Sequence, residues 1–224
     1  SDMALGIAKL FGFELLSNFK FPYFSRDIAE FWRRWHISLS SWFRDYVYIP
    51  LGGSRVSKAR AIRNTFIIFL ISGFWHGASW HYIAWGGIHA LGFLPLFLMK
   101  RNRKHIADIV AQDKILPGAS ELFSIFSTFV FVTFAWIFFR TKDISVAFDY
   151  VKHIGNHLLT MPGHRFMLFV YVMPFVVLDW MLRRNERIIH MPQNKIIRYM
   201  MYIASVYLII YHFKDNSSFI YFQF

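Results

Sequence analysis

Five apolar runs, separated by basic or polar stretches, dominate the pattern of the chain. They cover residues 64–80, 82–99, 121–139, 166–182 and 196–213. A helix needs about 20 apolar residues to cross a hydrocarbon core of about 30 Å, and these runs meet or approach that length. The pattern therefore predicts an all-α, multi-pass integral membrane protein. We expect about five transmembrane helices, accompanied by amphipathic or re-entrant interfacial helices.

The first two runs are nearly continuous and contain Gly73, Gly77, Gly86 and Gly87. Glycine in a membrane helix permits close packing or a break. Non-helical backbone at membrane depth must be buried or line a cavity. We expect residues 73–87 to form a packed interior element near a cavity, which leaves the topology of residues 64–99 open.

A different pattern occupies residues 26–55, which are aromatic, basic and too charged to cross a bilayer. Apolar and aromatic side chains recur there at three- and four-residue spacing, as on an amphipathic helix. Tryptophan, tyrosine and arginine together are typical of the membrane interface. We expect this stretch to lie along or dip into the cytoplasmic interface, carrying His36 inward, and to end at Pro50, Gly52 and Gly53.

Composition agrees with a membrane protein: 56% of the residues are hydrophobic, 21% are aromatic and only 17% are charged. The chain has no cysteine, which excludes disulfides, thiolate metal sites and a cysteine nucleophile. The net charge of +12 could indicate nucleic-acid binding. However, the basic residues cluster between the apolar runs, so we expect membrane lipid as the partner and no nucleic acid.

The distribution of basic residues predicts the orientation in the membrane. If each run crosses once, fourteen lysines and arginines fall on one side, within residues 55–63, 100–114 and 183–198. The opposite side receives five: Arg140, Lys142, Lys152, Arg165 and Lys214. The richer side is expected to be cytoplasmic. A re-entrant segment would reverse this assignment for the residues that follow it.

Two histidines are candidate catalytic residues. His76 lies in the run 65–85, TFIIFLISGFWHGASWHYIAW, and ionisable side chains at membrane depth usually mark functional sites. His76 is a candidate general base for a hydroxyl, because imidazole titrates near neutral pH. The alternative is a core histidine bonded to a backbone carbonyl. For His36, the second candidate, the alternative is an ordinary interfacial histidine.

Four arginines are candidates for contacting a phosphate-bearing donor, since guanidinium pairs with phosphate bidentately. They are Arg33, Arg34, Arg44 and Arg55, and the alternative is contact with lipid headgroups. Asp45 follows Arg44 directly and is a candidate ion-pair partner for it.

A metal site is not expected. No Asp or Glu lies between Asp45 and Asp108, and the histidines of this region lack the four-residue spacing of metal-binding helices. We interpret His81 and His89 as packing or hydrogen-bonding residues, and we expect no bound cofactor.

Two long motifs resemble the membrane-bound O-acyltransferase family, in particular its bacterial branch that acetylates exported polysaccharides such as alginate. They are FWRRWHISLSSWFRDYVYIPLGGSR at 31–55 and GFWHGASWHYIAWGGIHALGF at 73–93. The opening SDMALGIAKLFGFEL and the closing FIYFQF also resemble that branch.

The resemblance implies roles for particular residues. His76 corresponds to the family's near-invariant histidine, in its tryptophan-histidine-glycine motif, and His36 to its second polar position. Both would face a tunnel that the acyl donor enters from the cytoplasm and the acceptor from outside. The tryptophans would shape a water-poor channel, in which electrostatic effects are stronger. The residues assigned to this channel and the donor are Trp32, Arg33, Arg34, Trp35, Arg44, Asp45, Trp75 and Gly77.

The resemblance also implies a function and a domain organisation. Residues 1–224 would be the C-terminal part of a single domain whose N-terminal transmembrane half is absent. The expected activity moves an acyl group, most simply acetyl, from a cytoplasmic thioester such as acetyl-CoA or an acyl carrier. The acceptor would be an exported glycan or a periplasmic acetyltransferase partner, at the bacterial cytoplasmic membrane. The alternatives are D-alanyl transfer to teichoic acid and a non-enzymatic transporter or proton relay.

Overall fold

The structure is a computed structural model that describes residues 2–106, 108–157, 166–184 and 193–212. Within these ranges every regular element is helical and there is no β-strand, so the all-α prediction is confirmed. The chain divides into two units, Ser1–Arg184 and Asn185–Phe224. The closing FIYFQF segment, Arg165, Arg187, Phe213 and Lys214 lie outside the described residues.

Nine α-helices are described, eight of them in the first unit. They are α1 (Asp2–Leu10), α2 (Ile28–Arg34), α3 (Ile37–Phe43), α4 (Lys58–His76), α5 (Trp80–Leu98), α6 (Ala119–Arg140), α7 (Ile144–Asn156), α8 (Phe166–Leu182) and, in the second unit, α9 (Lys195–His212). A 3₁₀ turn (Pro22–Phe24) precedes α2, and a π-helical turn (Arg44–Tyr48) follows α3.

Helices α4 and α5 form an antiparallel hairpin, joined by residues 77–79. Gly73 packs against the backbone of Tyr82, and Gly86 packs against the backbone of Phe69. Small residues at these two crossings let the helix backbones touch, as the glycine pattern predicts. Gly73 and Gly86 are buried, but Phe74, Trp75 and Trp80 are exposed, so only part of the stretch 73–87 lies in the packed interior and the expected cavity beside it stays a prediction.

Helix α6 covers the same hairpin from the side of α5. Trp85 of α5 packs with Ala135 and Phe138 of α6, and Ala147 of α7 completes this cluster. All four are nearly inaccessible to solvent, the most exposed of them at 4%. This core holds α5 and α6 together close to His76, the last residue of α4.

The segment predicted as amphipathic is helical but broken. Asp27 accepts a hydrogen bond from the backbone N–H of Glu30 and caps α2. Helix α2 ends at Arg34, and α3 starts at Ile37. Between them His36 adopts a left-handed backbone conformation with φ 46° and ψ 56°. Apolar spacing does not reveal such a break, because both short helices continue the same periodicity.

Helix α2 packs into the protein core, and its placement at a membrane interface stays a prediction. Its Phe31 packs with Ile28 and with Val132 of α6. The side chain of Trp32 reaches His89, which lies near the middle of α5. The aromatic face of α2 is therefore buried between α5 and α6.

Two of the described helices are long and apolar enough to cross a membrane, α5 with 19 residues and α6 with 22. A shorter apolar helical stretch covers Val172–Leu182. The expected number of five spans is not confirmed. Helix α4 starts six residues earlier than its apolar run, so its first two turns carry Lys58, Arg60 and Arg63.

Candidate active site

His76 is the last residue of α4 and lies among aromatic rings. The ring centroids of Trp75, Trp85 and Phe139 lie 4.9, 5.3 and 4.9 Å from that of the imidazole, each near perpendicular to it. His76 is only partly buried, and it has no hydrogen-bond partner among the residues that the structure describes. Its nitrogens are therefore not committed to the described protein and can serve a substrate.

His81 shows what a structural histidine looks like in this fold. It is the second residue of α5, and it is 5% exposed. Its Nδ1 lies 3.1 Å from the backbone carbonyl oxygen of Phe138 on α6. The interpretation of His81 as a hydrogen-bonding residue is confirmed, and His76 differs from it in lacking such a contact.

His36 lies at the break between α2 and α3 and is partly buried. Its Nδ1 is buried and has no hydrogen-bond partner within the described ranges. Burial lowers the pKa of His36 below its ordinary value, so the ring is neutral at pH 7. His36 lies within electrostatic range of His76.

The predicted channel tryptophans lie in three different environments. The ring of Trp32 lies 5.8 Å from that of Trp85. Trp35 stacks on Phe31 and contacts Trp136, at centroid distances of 5.5 and 5.2 Å. Trp75 is 57% exposed beside His76. Trp75 and Trp32 reach the His76 region directly or through Trp85, whereas Trp35 packs against α6.

Gly77 follows His76 and ends α4. A Cβ atom at this position would lie 2.6 Å from a ring carbon of Tyr82, closer than real Cβ contacts. Because Gly77 has no side chain, the ring of Tyr82 can occupy this space, next to the imidazole of His76.

Arg34 and Arg26 both pair with Glu30, which is 1% exposed. Arg26 contacts Glu30 at 3.0 Å and Arg34 contacts it at 2.9 Å. Because a lone buried carboxylate is costly, its two partners are what make this burial possible. The pattern Arg26–x₃–Glu30–x₃–Arg34 is readable from the sequence, since residues four apart face each other on a helix. Glu30 is nevertheless not among the residues that we predicted from the sequence.

Several arginines also bind the connection between α5 and α6, residues 99–118, through its backbone carbonyls. Arg33 donates to the carbonyls of Asn102 and His105, at 2.9 and 3.1 Å. Arg26 and Arg34 each donate to the carbonyl of Asp108 at 3.1 Å. The guanidinium groups of Arg33 and Arg34 thus have protein partners, and donor binding by them stays a prediction.

Two further arginines bind the same connection from the end of α8. Arg183 donates to the carbonyls of Val110, Ala111 and Lys114, and Arg184 donates to the latter two. Arg183 is 6% exposed. The connection is therefore held by cations from both α2 and α8.

Arg44 and Asp45 pair with each other on the surface. Their contact is 2.7 Å long, and their side chains are 60% and 45% exposed. Within the described ranges neither residue contacts His36 or His76. The expected pairing is confirmed, and their donor role stays a prediction.

The described residues contain no cluster of three or more His, Asp or Glu side chains that could hold a metal ion. The chemistry available at His76 and His36 is that of two imidazoles in aromatic surroundings. The imidazoles can accept and donate protons, and the aromatic rings around His76 can limit access of water.

Residues 1–139 match the family described as MBOAT, membrane-bound O-acyltransferase. The match covers more than half of the chain and includes α1 to α6 up to Phe139, with both candidate histidines. The chain belongs to the membrane-bound O-acyltransferase family.

Its curated relatives carry names that refer to alginate, peptidoglycan and teichoic acid. The probable alginate O-acetylase AlgI of Pseudomonas syringae pv. tomato is 42% identical over 66% of this chain and 26% of the relative. The peptidoglycan O-acetyltransferase of Helicobacter pylori is 40% identical over 67% and 27%. The teichoic acid D-alanyltransferase of Streptococcus thermophilus is 41% identical over 47% and 27%. The chain thus spans about a quarter of the length of these relatives.

Proposed function

We propose that this chain carries the catalytic centre of a membrane-bound O-acyltransferase of the bacterial cytoplasmic membrane. The enzyme moves an acyl group, acetyl in the simplest case, from a cytoplasmic thioester such as acetyl-CoA or an acyl carrier. The acceptor is a hydroxyl of an exported polysaccharide, or a periplasmic partner that completes the transfer.

One observation carries this proposal: His76 is partly accessible among aromatic rings, with no hydrogen-bond partner among the described residues. A histidine that serves packing alone is expected to resemble His81, which is buried and bonded to a backbone carbonyl. His76 instead keeps its nitrogens available and lies near a second histidine, His36. Family membership and the names of the relatives support acyl transfer as the chemistry.

In the proposed reaction His76 acts as general base. It takes the proton of the acceptor hydroxyl as the hydroxyl oxygen attacks the thioester carbonyl carbon. The new C–O bond forms the ester, the C–S bond breaks, and the departing thiolate receives a proton. His36, close to His76, positions the donor or relays this proton. The rings of Trp32, Trp75 and Trp85 limit water, which would otherwise hydrolyse the thioester.

D-alanyl transfer to teichoic acid is the second candidate. It is favoured by the 41% identity to the Streptococcus thermophilus enzyme, over 113 residues. Over a similar length the identity to the alginate O-acetylase of Pseudomonas syringae pv. tomato is higher, 42% over 147 residues, than that to the teichoic acid D-alanyltransferase of Bacillus subtilis, 34% over 150 residues. We therefore place O-acetyl transfer to a polysaccharide first.

The test replaces His76 with Ala in the full-length protein that contains this chain. Membranes with wild-type or variant protein receive acetyl-CoA labelled in the acetyl group, and label in glycan ester is measured alongside protein abundance. We expect at least a hundredfold loss of ester formation at unchanged abundance, the usual contribution of a general base. His153→Ala, an exposed histidine of α7, is the matched control and keeps full activity.

Each other outcome has a defined meaning. Ester formation by His76→Ala at the wild-type rate would overturn the assignment of His76 as base. D-alanyl ester on teichoic acid, without acetyl ester on any glycan, would favour the second candidate. Proton flux in liposomes without acyl transfer would favour the transporter or proton-relay alternative.

A further inference from the structure

His89 lies near the middle of α5 and is completely buried. Its Nδ1 accepts a hydrogen bond from the indole N–H of Trp32 at 3.3 Å. Five aromatic rings surround the imidazole at centroid distances between 5.0 and 6.4 Å: Phe31, Trp32, Phe69, Trp85 and Phe131. A polar ring is thus enclosed by apolar rings in the core.

The hydrogen bond determines the tautomer of this imidazole. A buried imidazolium without an acidic partner would be costly, so His89 is a neutral ring with one donor and one acceptor nitrogen. Since Nδ1 accepts from Trp32, Nε2 carries the proton. Nε2 is buried and has no partner among the described residues. The contact with Trp32 is therefore the one hydrogen bond that His89 makes within that part of the chain.

This contact connects the elements that carry the two candidate catalytic histidines. Trp32 is four residues before His36, at the end of α2. On the other side the ring of His89 lies 5.0 Å from that of Trp85, which in turn lies 5.3 Å from that of His76. His89 therefore lies between α2, which leads into His36, and the Trp85 ring that supports His76.

We propose that His89 is a positioning residue, which holds Trp32 through Nδ1 and thereby fixes the placement of His36 relative to His76. His89 contacts none of the reacting groups itself. The inference rests on the proposed acyl transfer, because it assigns His89 a part in that reaction.

A double-mutant cycle in the full-length protein tests this role. His89→Phe keeps a ring but removes the acceptor, and Trp32→Phe removes the donor. We expect each variant to lower kcat about tenfold, the effect of one lost hydrogen bond in the transition state, with the KM for acetyl-CoA within twofold. The double variant falls no further than either single one, because both remove the same contact.

Two comparisons separate positioning from general stability. His81→Phe removes a buried histidine of the same helix that bonds to α6 instead of α2, and its kcat per folded molecule stays within twofold of wild type. His89→Asn places an amide oxygen close to the position of Nδ1, so it restores an acceptor and recovers part of the kcat lost in His89→Phe. Where His89→Phe yields no folded protein, the smaller His89→Leu, which also lacks an acceptor, takes its place in the cycle.

A structural readout accompanies the kinetics. The indole N–H resonance of Trp32, identified by its absence in Trp32→Phe, shifts upfield in His89→Phe and stays in place in His81→Phe. An unshifted resonance, an unchanged kcat for folded His89→Phe, or single effects that multiply in the double variant would overturn the positioning role. A wild-type protein that forms no ester would instead overturn the proposed function, and the positioning role with it.

Discussion

Gly73 of α4 packs so closely on Tyr82 of α5 that a Cβ atom on Gly73 would overlap the Tyr82 carbonyl oxygen. The backbone of Tyr82 cannot move away without moving α5. The same arrangement occurs one helical turn deeper in the hairpin, where Gly86 faces the carbonyl group of Phe69. The distance between the two helices is therefore set at two points by the absence of a side chain.

Alanine at either glycine is expected to destabilise the hairpin. We expect Gly73→Ala and Gly86→Ala each to lower the free energy of unfolding by about 1–3 kcal/mol, the usual cost of overpacking. Unfolding in mixed detergent micelles measures the effect. Gly87→Ala is the matched control, because its Cβ would meet only Leu70 Cδ2, at 3.9 Å, and its effect stays within about 0.5 kcal/mol. Equal effects at Gly73 and Gly87 would contradict the close approach.

Removal of the charge on Glu30 is expected to cost more. Glu30→Gln keeps the size of the side chain but leaves Arg26 and Arg34 without their buried counter-ion. Breaking a buried ion pair in this way costs about 3–5 kcal/mol. The thermal midpoint of the purified protein reports the loss.

Asp45→Asn is the control for that experiment, since it breaks an ion pair with Arg44 on the surface. Exposed pairs contribute about 0–1 kcal/mol, so this variant melts close to the wild type. Similar midpoints for Glu30→Gln and Asp45→Asn would show that the two arginines do not need the Glu30 carboxylate.

His36 makes stability depend on pH. In the folded protein, burial lowers the pKa of His36 below its ordinary value of 6.5. The unfolded chain therefore binds a proton at a higher pH than the folded chain does. The contribution of neutral His36 is complete above pH 6.5 and declines as the pH falls from there toward the folded-state pKa. The thermal midpoints of wild type and His36→Asn, measured between pH 8 and pH 5, report this term. We expect the wild type to lose more stability than the variant over that range, and parallel curves would refute the prediction.

The role of Arg33 separates structural support from donor binding. Its two terminal nitrogens donate to the carbonyls of Asn102 and His105. Lysine reaches at most one of them, and a lost charge-assisted hydrogen bond costs about 1.5–3 kcal/mol. We expect Arg33→Lys to lower stability without changing the KM for acetyl-CoA.

Arg44→Lys, at an exposed position, is compared in the same assay. If Arg33→Lys raises the KM for acetyl-CoA and keeps wild-type stability, Arg33 contacts the donor, as the sequence predicts. A raised KM for Arg44→Lys alone would assign donor contact to Arg44.

The sequence predicts helices better than it predicts the contacts between them. The run 166–182 coincides with α8, and the run 121–139 differs from α6 by two residues at one end and one at the other. Apolar periodicity reports burial, so it finds such elements. It does not report the break at Trp35 and His36, because two non-helical residues leave the apolar spacing of the sequence unchanged.

The site shows the same division. The motifs pointed to His76 and His36, which lie near each other in the fold. Their support was not foreseen, because the Trp32–His89 contact joins residues 57 positions apart. Glu30 could have been found, since its arginines are four residues away on either side.

The arginines after α8 also affect the order in which parts of the chain fold during synthesis. The carbonyls of Val110 and Ala111 receive their donors from Arg183, which follows more than 70 residues later. At about 5–20 residues per second, these carbonyls leave the ribosome roughly 4–14 s before that arginine. In the interval the backbone N–H of Lys114 can serve the carbonyl of Ala111, but that of Val110 depends on water, so this part of the connection has to stay hydrated while α6 inserts. The connection then closes in a late maturation step, once the end of α8 has been made.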